Sequence, residues 1–117
     1  MKINEKQEGD VTILILSGQM INVKIDIHPY VKNLIEEGKK NVVVDIGKVK
    51  WFSSTGLGAL MASYSSLNSV GGNLKIARPS RKIHSLLYQM KLREVFDTFD
   101  TVQEAIDSYN VEEKPAE

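Results

Sequence analysis

The sequence predicts an α/β domain in which a mixed β-sheet is covered by about four α-helices. Two runs of β-branched and aliphatic residues, at 11–16 and 42–46, are typical of buried strands. Between and after these runs, apolar residues recur every three or four positions, which is the spacing of an amphipathic helix. Because strands alternate with helices, crossover connections are expected and the sheet should be mostly parallel or mixed.

The chain begins with a predicted hairpin. Residues 2–7 alternate weakly in polarity and indicate an edge strand, and residues 8–10 form a turn. The next strand, 11–16, is apolar at nearly every position, so we expect both of its faces to be covered. Ser17 and Gly18 are expected to end this strand, and residues 20–24 to form a loop.

The first helix and the central strand follow. Asp26 is expected to cap a helix that tolerates Pro29 in its first turn and stops at Gly38. The run at 42–46 then predicts a strand from Asn41 to Ile46, and residues 47–52 are expected to be a loop.

The second half of the chain repeats the alternation of helix and strand. We predict a helix at about 54–70, a strand at 73–77 and a helix that Ser80 caps. A short strand is expected around 95–99. A capping-box pair at 101 and 104 then begins the last helix.

Length and composition indicate a single domain. The chain has 117 residues, of which 42% are hydrophobic and 26% are charged, as in ordinary soluble globular proteins. We assign residues 1–110 to the domain and residues 111–117 to a flexible C-terminal tail.

Charge and residue types exclude several kinds of partner and site. The 15 basic residues balance the 15 acidic ones, so no direct nucleic-acid partner is indicated. The absence of cysteine excludes disulfides and thiolate metal sites. No apolar run approaches the roughly 20 residues of a membrane span, and the N-terminus does not resemble a signal peptide. We therefore expect no membrane insertion and a cytoplasmic location.

The most informative stretch is Trp-Phe-Ser-Ser-Thr-Gly-Leu-Gly at 51–58, where a strand precedes a helix. One hydroxyl would be explained as the helix N-cap. Three in a row, followed by Gly56 and Gly58, are not, because glycine lowers helix propensity. A serine at a helix N-terminus also lies where a phosphate group is best tolerated. The residues alone leave open a cap or a phosphorylation switch.

The motif resembles that of a known family. Asp45, followed after a gap by residues 52–58, is similar to the STAS domain of bacterial anti-sigma-factor antagonists. Gly18, the Gly-Gly pair at 71–72, residues 79–96 and the closing segment 101–105 fit the same pattern in the same order. The resemblance covers nearly the whole chain and implies a STAS-type single domain.

The resemblance implies a binding module and not an enzyme, with no cofactor. In this family the antagonist binds an anti-sigma factor that is itself a serine kinase, and so releases a sigma factor. The kinase phosphorylates the antagonist, which then dissociates, and a serine/threonine phosphatase restores the active form. A phosphate group adds nearly two negative charges and would disrupt a close interface that lacks cations.

The resemblance also assigns the site residues. Ser54 matches the phosphate acceptor, so phosphorylation is expected there. The neighbours of the switch are Asp45, Ser53, Thr55, Gly56 and Gly58. Ser53 is a departure, because it stands where the family has an acid; we expect its hydroxyl to accept a backbone hydrogen bond.

The kinase-binding surface is predicted beside the switch. Phe52 is expected in the core, whereas Trp51 could pack there or anchor a partner, since aromatic residues are frequent binding hot spots. Small residues, Ala59, Ala62 and Ser63, are expected on the exposed side of the helix, opposite Leu57, Leu60, Met61 and Tyr64.

Other chemistries find little support in the sequence. His28 and His84 are on separate predicted helices without a second ligand set, so no metal site is expected. The Gly-Leu-Gly at 56–58 lacks the third glycine of a dinucleotide fingerprint. The alternative function is a STAS module that is not phosphorylated and acts as a scaffold, or as a subunit of a larger signalling or lipid-transport complex.

Overall fold

The computed structural model describes residues 2–20 and 27–113. The elements, in chain order, are β1 (Lys2–Glu8), β2 (Val11–Met20), α1 (Ile27–Glu36), β3 (Asn41–Phe52), α2 (Ser54–Ser69), β4 (Asn73–Ala77), α3 (Arg81–Gln89), a 3₁₀ turn (Leu92–Glu94), β5 (Thr98–Phe99) and α4 (Val102–Glu113). This order and the α/β class confirm the prediction.

The strands form one mixed sheet in the order β1-β2-β3-β4-β5. The β1–β2 hairpin is antiparallel, and β2, β3, β4 and β5 pair in parallel. Gly9 forms the hairpin turn at a φ of +59°, a value that costs glycine little. The parallel pairs require the crossover helices that the alternating pattern predicted.

The two faces of the sheet are covered unequally. Alternate residues of β3, Val42, Val44 and Ile46, face a large core that includes residues from α1, α2 and α3. Val43, between them, faces a smaller core that is completed by α4. Because residues of one strand point alternately to the two sides, a continuous apolar run is buried on both, as the sequence predicted for 11–16.

Helix α4 is attached to the sheet by polar contacts as well as by packing. The Tyr109 hydroxyl lies 2.7 Å from the carbonyl oxygens of Val42 and Asn73, and it accepts the Val42 N–H at 3.2 Å. The fully buried Lys75 donates from Nζ to Ser108 Oγ at 2.8 Å and lies 4.3 Å from the centre of the Tyr109 ring. One helix therefore binds β3 and β4 together near their amino ends.

The edge strand β1 is tied to the first helix and its following turn. Tyr30 donates its hydroxyl proton to Glu5 Oε1 at 2.5 Å, and Lys39 Nζ donates to Glu5 Oε2 at 2.9 Å. The hydrogen bond from Tyr30, and then that from Lys39, lowers the pKa of Glu5. The same bond raises the pKa of Tyr30 to about 12.

Three predicted boundaries were wrong. Strand β2 does not end at Ser17 and Gly18 but continues to Met20, with shifts of register against β3. Strand β3 includes the predicted loop 47–52, because Val49 and Phe52 return to the core after the irregularity. The predicted strand 95–99 is reduced to Thr98–Phe99, and a 3₁₀ turn precedes it.

Several predictions concern residues at or beyond the ends of the two described ranges. Asp26 and most of the predicted loop 20–24 lie outside the described residues. Helix α4 runs to Glu113, so the first part of the proposed tail 111–117 is helical, and residues 114–117 are outside the description. The boundary at residue 110 stays a prediction. Within the described ranges, no helix has the length and apolar character needed to cross a membrane.

Candidate functional site at the start of helix α2

Ser53 is the N-cap of helix α2. Its backbone is extended, at φ −76° and ψ 166°, and its Oγ accepts the Gly56 N–H at 3.1 Å. Its carbonyl oxygen accepts the Leu57 N–H at 2.9 Å, which is the first hydrogen bond of the helix. The expectation that the Ser53 hydroxyl accepts a backbone hydrogen bond is therefore confirmed. A neutral group performs here the capping that a carboxylate could also perform.

Ser54 and Thr55 are the first two residues of the helix, and both are exposed. The first N–H groups of a helix have no intrahelical acceptor, and Ser53 satisfies one of them, at Gly56. The first turn of α2 contains no acidic residue. The positive end of the helix dipole therefore lies beside two exposed hydroxyls, and no acidic side chain of that turn compensates it.

The two glycines of the motif have different environments. Gly56, in the first turn of α2, is buried, whereas Gly58 is exposed. A Cβ added at Gly58 would meet nothing within 4 Å, so packing within this chain does not require glycine there. The backbone at Gly58 is open to solvent on the same side of the helix as Ser54, which is four residues earlier.

Asp45 is bound to Arg78, which directly follows β4. Its side chain is buried, and it accepts hydrogen bonds from Arg78 Nε at 2.8 Å, from Arg78 Nη2 at 3.0 Å and from the Gly47 N–H at 3.0 Å. The hydrogen bonds from Arg78 to Asp45, and then the negative charge of Asp45, raise the pKa of Arg78. Asp45 therefore holds Arg78, the residue that directly follows β4. Its assignment as a neighbour of the switch stays a prediction.

Arg78 is the residue of this end of the sheet that sequence reasoning missed. No motif or spacing in the sequence assigns it a role, yet it adopts a left-handed conformation at φ 58° and lies over Gly47. A Cβ on Gly47 would come within 2.4 Å of an atom of the Arg78 guanidinium. The Asp-x-Gly sequence at 45–47 was the available signal, but its partner is 33 residues away.

The predicted contact face of α2 is partly wrong. Ala59 is only 8% exposed and Ser63 is fully buried, with its Oγ donating to the Ala59 carbonyl oxygen at 2.8 Å. Small residues at these positions let the helix lie close to the sheet and its neighbours. Ala62 is half-buried, and Met61, which was expected in the core, is 41% exposed.

The outward side of α2 is consequently a different set of residues. Between residues 54 and 65, the exposed residues of α2 are Ser54, Thr55, Gly58, Met61 and Ser65. Phe52 is buried, as predicted. The side chain of Trp51 lies outside the described part of the chain, so its role as an anchor stays a prediction.

The histidines have separate environments. His28 Nε2 lies 3.0 Å from Ser66 Oγ and links α1 to α2, while His84 is half-buried on α3. Over residues 2–20 and 27–113 there is no group of three or more His, Cys, Asp or Glu side chains that could hold a metal ion.

The sequence and the fold are similar to those of known proteins. The family model described as the STAS domain matches residues 2–105. No curated protein matches the sequence.

Solved structures from three sources have the same fold. One is a protein of Thermotoga maritima, with 23% sequence identity, a TM-score of 0.77, and coverage of 91% of this chain and 92% of that one. Another is the phosphorylated form of the Bacillus cell fate determinant SpoIIAA, at 17% identity, TM-score 0.73, and 92% and 99% coverage. An anti-sigma factor antagonist from Mycobacterium paratuberculosis has 17% identity, TM-score 0.78, and 92% coverage of both chains.

Proposed function

The chain belongs to the STAS-domain family, and on this premise we propose that it is an anti-sigma-factor antagonist switched by phosphorylation of Ser54. In its unphosphorylated form it binds an anti-sigma serine kinase and thereby releases a sigma factor. Phosphorylation ends this binding, and a serine/threonine phosphatase reverses it. The protein acts as a binding module and not as an enzyme, in the cytoplasm where a sigma factor works.

The observation that carries the proposal is the position of Ser54. It is the first residue of α2, it is exposed, and the cap function already belongs to Ser53. The Ser54 hydroxyl is therefore not needed to hold the helix start. A phosphate on it would lie at the positive end of the helix dipole, where free N–H groups can donate charge-assisted hydrogen bonds.

Thr55 is the competing acceptor. It is also exposed, but it is one residue further into the helix and its β-branched side chain has fewer χ1 rotamers available. Ser53 is half-buried and is already engaged as the cap. We therefore assign the phosphate to Ser54 among the three hydroxyls.

The kinase should contact the outward side of α2. Ser54, Gly58 and Met61 share this side at spacings of four and three residues. Met61 offers an exposed apolar side chain, and the absence of a side chain at Gly58 lets another backbone approach closely. A phosphate on Ser54 would bring its charge to the edge of this interface and weaken it.

The test of the switch is mass spectrometry after treatment with the cognate kinase and ATP. We expect phosphate on Ser54 in the unaltered protein and in Thr55→Ala, and none in Ser54→Ala. Ser54→Ala should still bind the kinase but should not be released by ATP. Ser54→Asp should bind poorly, although one carboxylate imitates a phosphate incompletely.

Two outcomes would contradict the proposal. Phosphate on Thr55 alone would move the switch by one residue. A kinase that binds the chain but never phosphorylates it would favour the alternative, a STAS scaffold or a subunit of a larger signalling or transport complex. The presence of Ser53 at the position where the family motif has an acid favours this alternative.

The test of the contact face is Met61→Arg. We expect it to weaken kinase binding by about tenfold, or roughly 1.4 kcal/mol, while the free energy of unfolding changes by less than about 0.5 kcal/mol. Val70→Arg, at the other end of α2 and similarly exposed at 44%, is the matched control. Equal binding by both variants would exclude the proposed face.

A further inference from the structure

The end of helix α3 exposes apolar side chains that the proposed switch does not use. Among the described large hydrophobic residues, the two most exposed are Tyr88, at 64%, and Met90, at 51%. They lie in one short segment, the last turn of α3 and the residue that follows it. Tyrosine and methionine are enriched in protein–protein interfaces, so their joint exposure is informative.

Cations border these side chains. The Arg93 guanidinium lies 5.5 Å from the centre of the Tyr88 ring, within the range of a cation–π contact. An open depression of about 770 Å³ is lined by Tyr88, Gln89, Lys91, Arg93 and Glu94. No salt bridge within the described ranges uses Lys91, Arg93 or Glu94. The surface thus has two cationic groups and one carboxylate.

Lys91 is held in an unfavourable backbone conformation. It has a φ of 58°, and its N–H donates to the Tyr88 carbonyl oxygen at 3.1 Å. Glycine is the usual residue at such a helix end, because a left-handed conformation is strained for residues with a Cβ. Stabilisation of the helix C-terminus would explain a basic residue here. It does not explain a lysine in place of glycine beside the exposed Tyr88 side chain.

The segment lies at the end of α3 that is remote from the strand ends near Ser54. Helix α3 begins shortly after the carboxyl end of β4, and its 9 residues span about 13 Å. Residues 88–94 therefore lie at and beyond the far end of α3, whereas Ser54 follows the carboxyl end of β3, which is parallel to β4. A ligand at one surface leaves the other accessible.

We propose that residues 88–94 form a second binding surface for an acidic segment of a partner protein. The carboxylates of that segment bind Lys91 and Arg93, and an apolar or aromatic side chain packs beside Tyr88. Charge complementarity selects an acidic partner, and the exposed Tyr88 ring selects one with an apolar residue between its acids. Since the surface is remote from Ser54, this binding is independent of phosphorylation and does not rest on the proposed switch.

The test is a titration of the isotope-labelled protein, followed by NMR, with an acidic peptide in which Asp and Glu alternate with Phe and Leu. At up to about 1 mM peptide, we expect chemical-shift changes concentrated at residues 88–94. Arg93→Glu and Tyr88→Ala should each weaken binding about tenfold or more. Arg81→Glu, a charge reversal at the other end of α3, and Ser54→Asp should leave it unchanged.

Lys91→Gly separates binding from a structural role. It removes the backbone strain, so the protein should become more stable, while the peptide should bind more weakly. A gain in stability with no loss of binding would overturn the role of Lys91. Three other results would overturn the proposal as a whole: no shift changes at 88–94, equal binding of a peptide with Lys in place of the acids, or the same shifts with inorganic phosphate or a single-stranded DNA oligonucleotide.

Discussion

Two of the strand-to-helix junctions, β3–α2 at residues 52–56 and β4–α3 at residues 77–83, use the same cap but differ in what surrounds it. Ser53 Oγ accepts the N–H of the residue three positions later at 3.1 Å, and so does Ser80 Oγ. After Ser53 come two exposed hydroxyls with no charge, whereas two cations, Arg81 and Lys82, follow Ser80.

Of these two junctions, only β4–α3 has a residue with a strained backbone among the residues that the structure describes. Arg78 has a positive φ and is bound through two nitrogens to the buried Asp45. The β3–α2 junction passes directly from strand to cap to helix. A serine cap is thus common to a fixed junction and to one that leaves hydroxyls accessible. The exposed hydroxyls after the cap, and not the cap itself, distinguish the candidate switch.

Among changes at the two junctions, Arg78→Ala is expected to have the largest effect on stability. It leaves the Asp45 carboxylate buried without its guanidinium, which should lower the free energy of unfolding by about 2 kcal/mol. Because the Arg78 side chain is 43% exposed, water will moderate the loss. Urea denaturation measures it, with Arg81→Ala as a control expected within about 0.5 kcal/mol of the unaltered protein. Equal stability of both variants would show that the ion pair does not fix the β4–α3 junction.

A somewhat smaller effect is expected from Gly47→Ala. The new Cβ would overlap the guanidinium and force it away from Asp45, at a cost of about 1–2 kcal/mol. In the presence of Arg78→Ala the cost should largely disappear, because the overlapping group is gone. A double-mutant cycle measures this coupling. Additive losses would mean that Gly47 is required for its own backbone and not for Arg78.

Loss of either cap should have a similar effect. Ser53→Ala and Ser80→Ala are each expected to lower the free energy of unfolding by about 1 kcal/mol. Only Ser53→Ala should also slow phosphorylation of Ser54, because it loosens the turn that presents the hydroxyl. Stability by denaturation and phosphate incorporation with the cognate kinase are measured on the same samples. Equal phosphorylation rates for the two variants would show that the Ser53 cap does not affect the switch.

The smallest effect is expected from Ser54→Asp in the absence of any partner. A carboxylate at the start of α2 should stabilise the protein by about 0.3–1 kcal/mol at low ionic strength. The gain should diminish as salt is added. Thermal unfolding at two salt concentrations measures it, and Ser65→Asp, in the C-terminal half of the same helix, is the control. A destabilisation that salt removes would indicate a negative field at the helix start.

The sequence predicts local structure well here and distant contacts poorly. Continuous apolar runs identified β2 and β3, and Ser80 and Thr101 were recognised as caps from their own neighbourhoods. Gly47 and Lys48 interrupt the apolar pattern of β3, so its continuation to Phe52 was missed. The bond between Asp45 and Arg78 joins residues that only the sheet brings together.

The candidate site shows the same division. The positions of Ser53 and Ser54 followed from the order of strand, hydroxyls and helix. The outward face of α2 did not, since Met61 is apolar but exposed and Ser63 is polar but buried. Helix spacing gives the relative positions of residues, but where apolar and small residues occur all around a helix, packing decides which side faces inward.

The attachment of α4 affects how the protein can be shortened and how it is made. The STAS family match ends at residue 105, yet the hydroxyl that joins β3 to β4 belongs to Tyr109. A truncation at the end of the matched segment would remove this hydroxyl and the Ser108 partner of the buried Lys75. During synthesis, the α4 side of the sheet stays uncovered until these last residues leave the ribosome, so the domain can close only after almost its whole length has been translated.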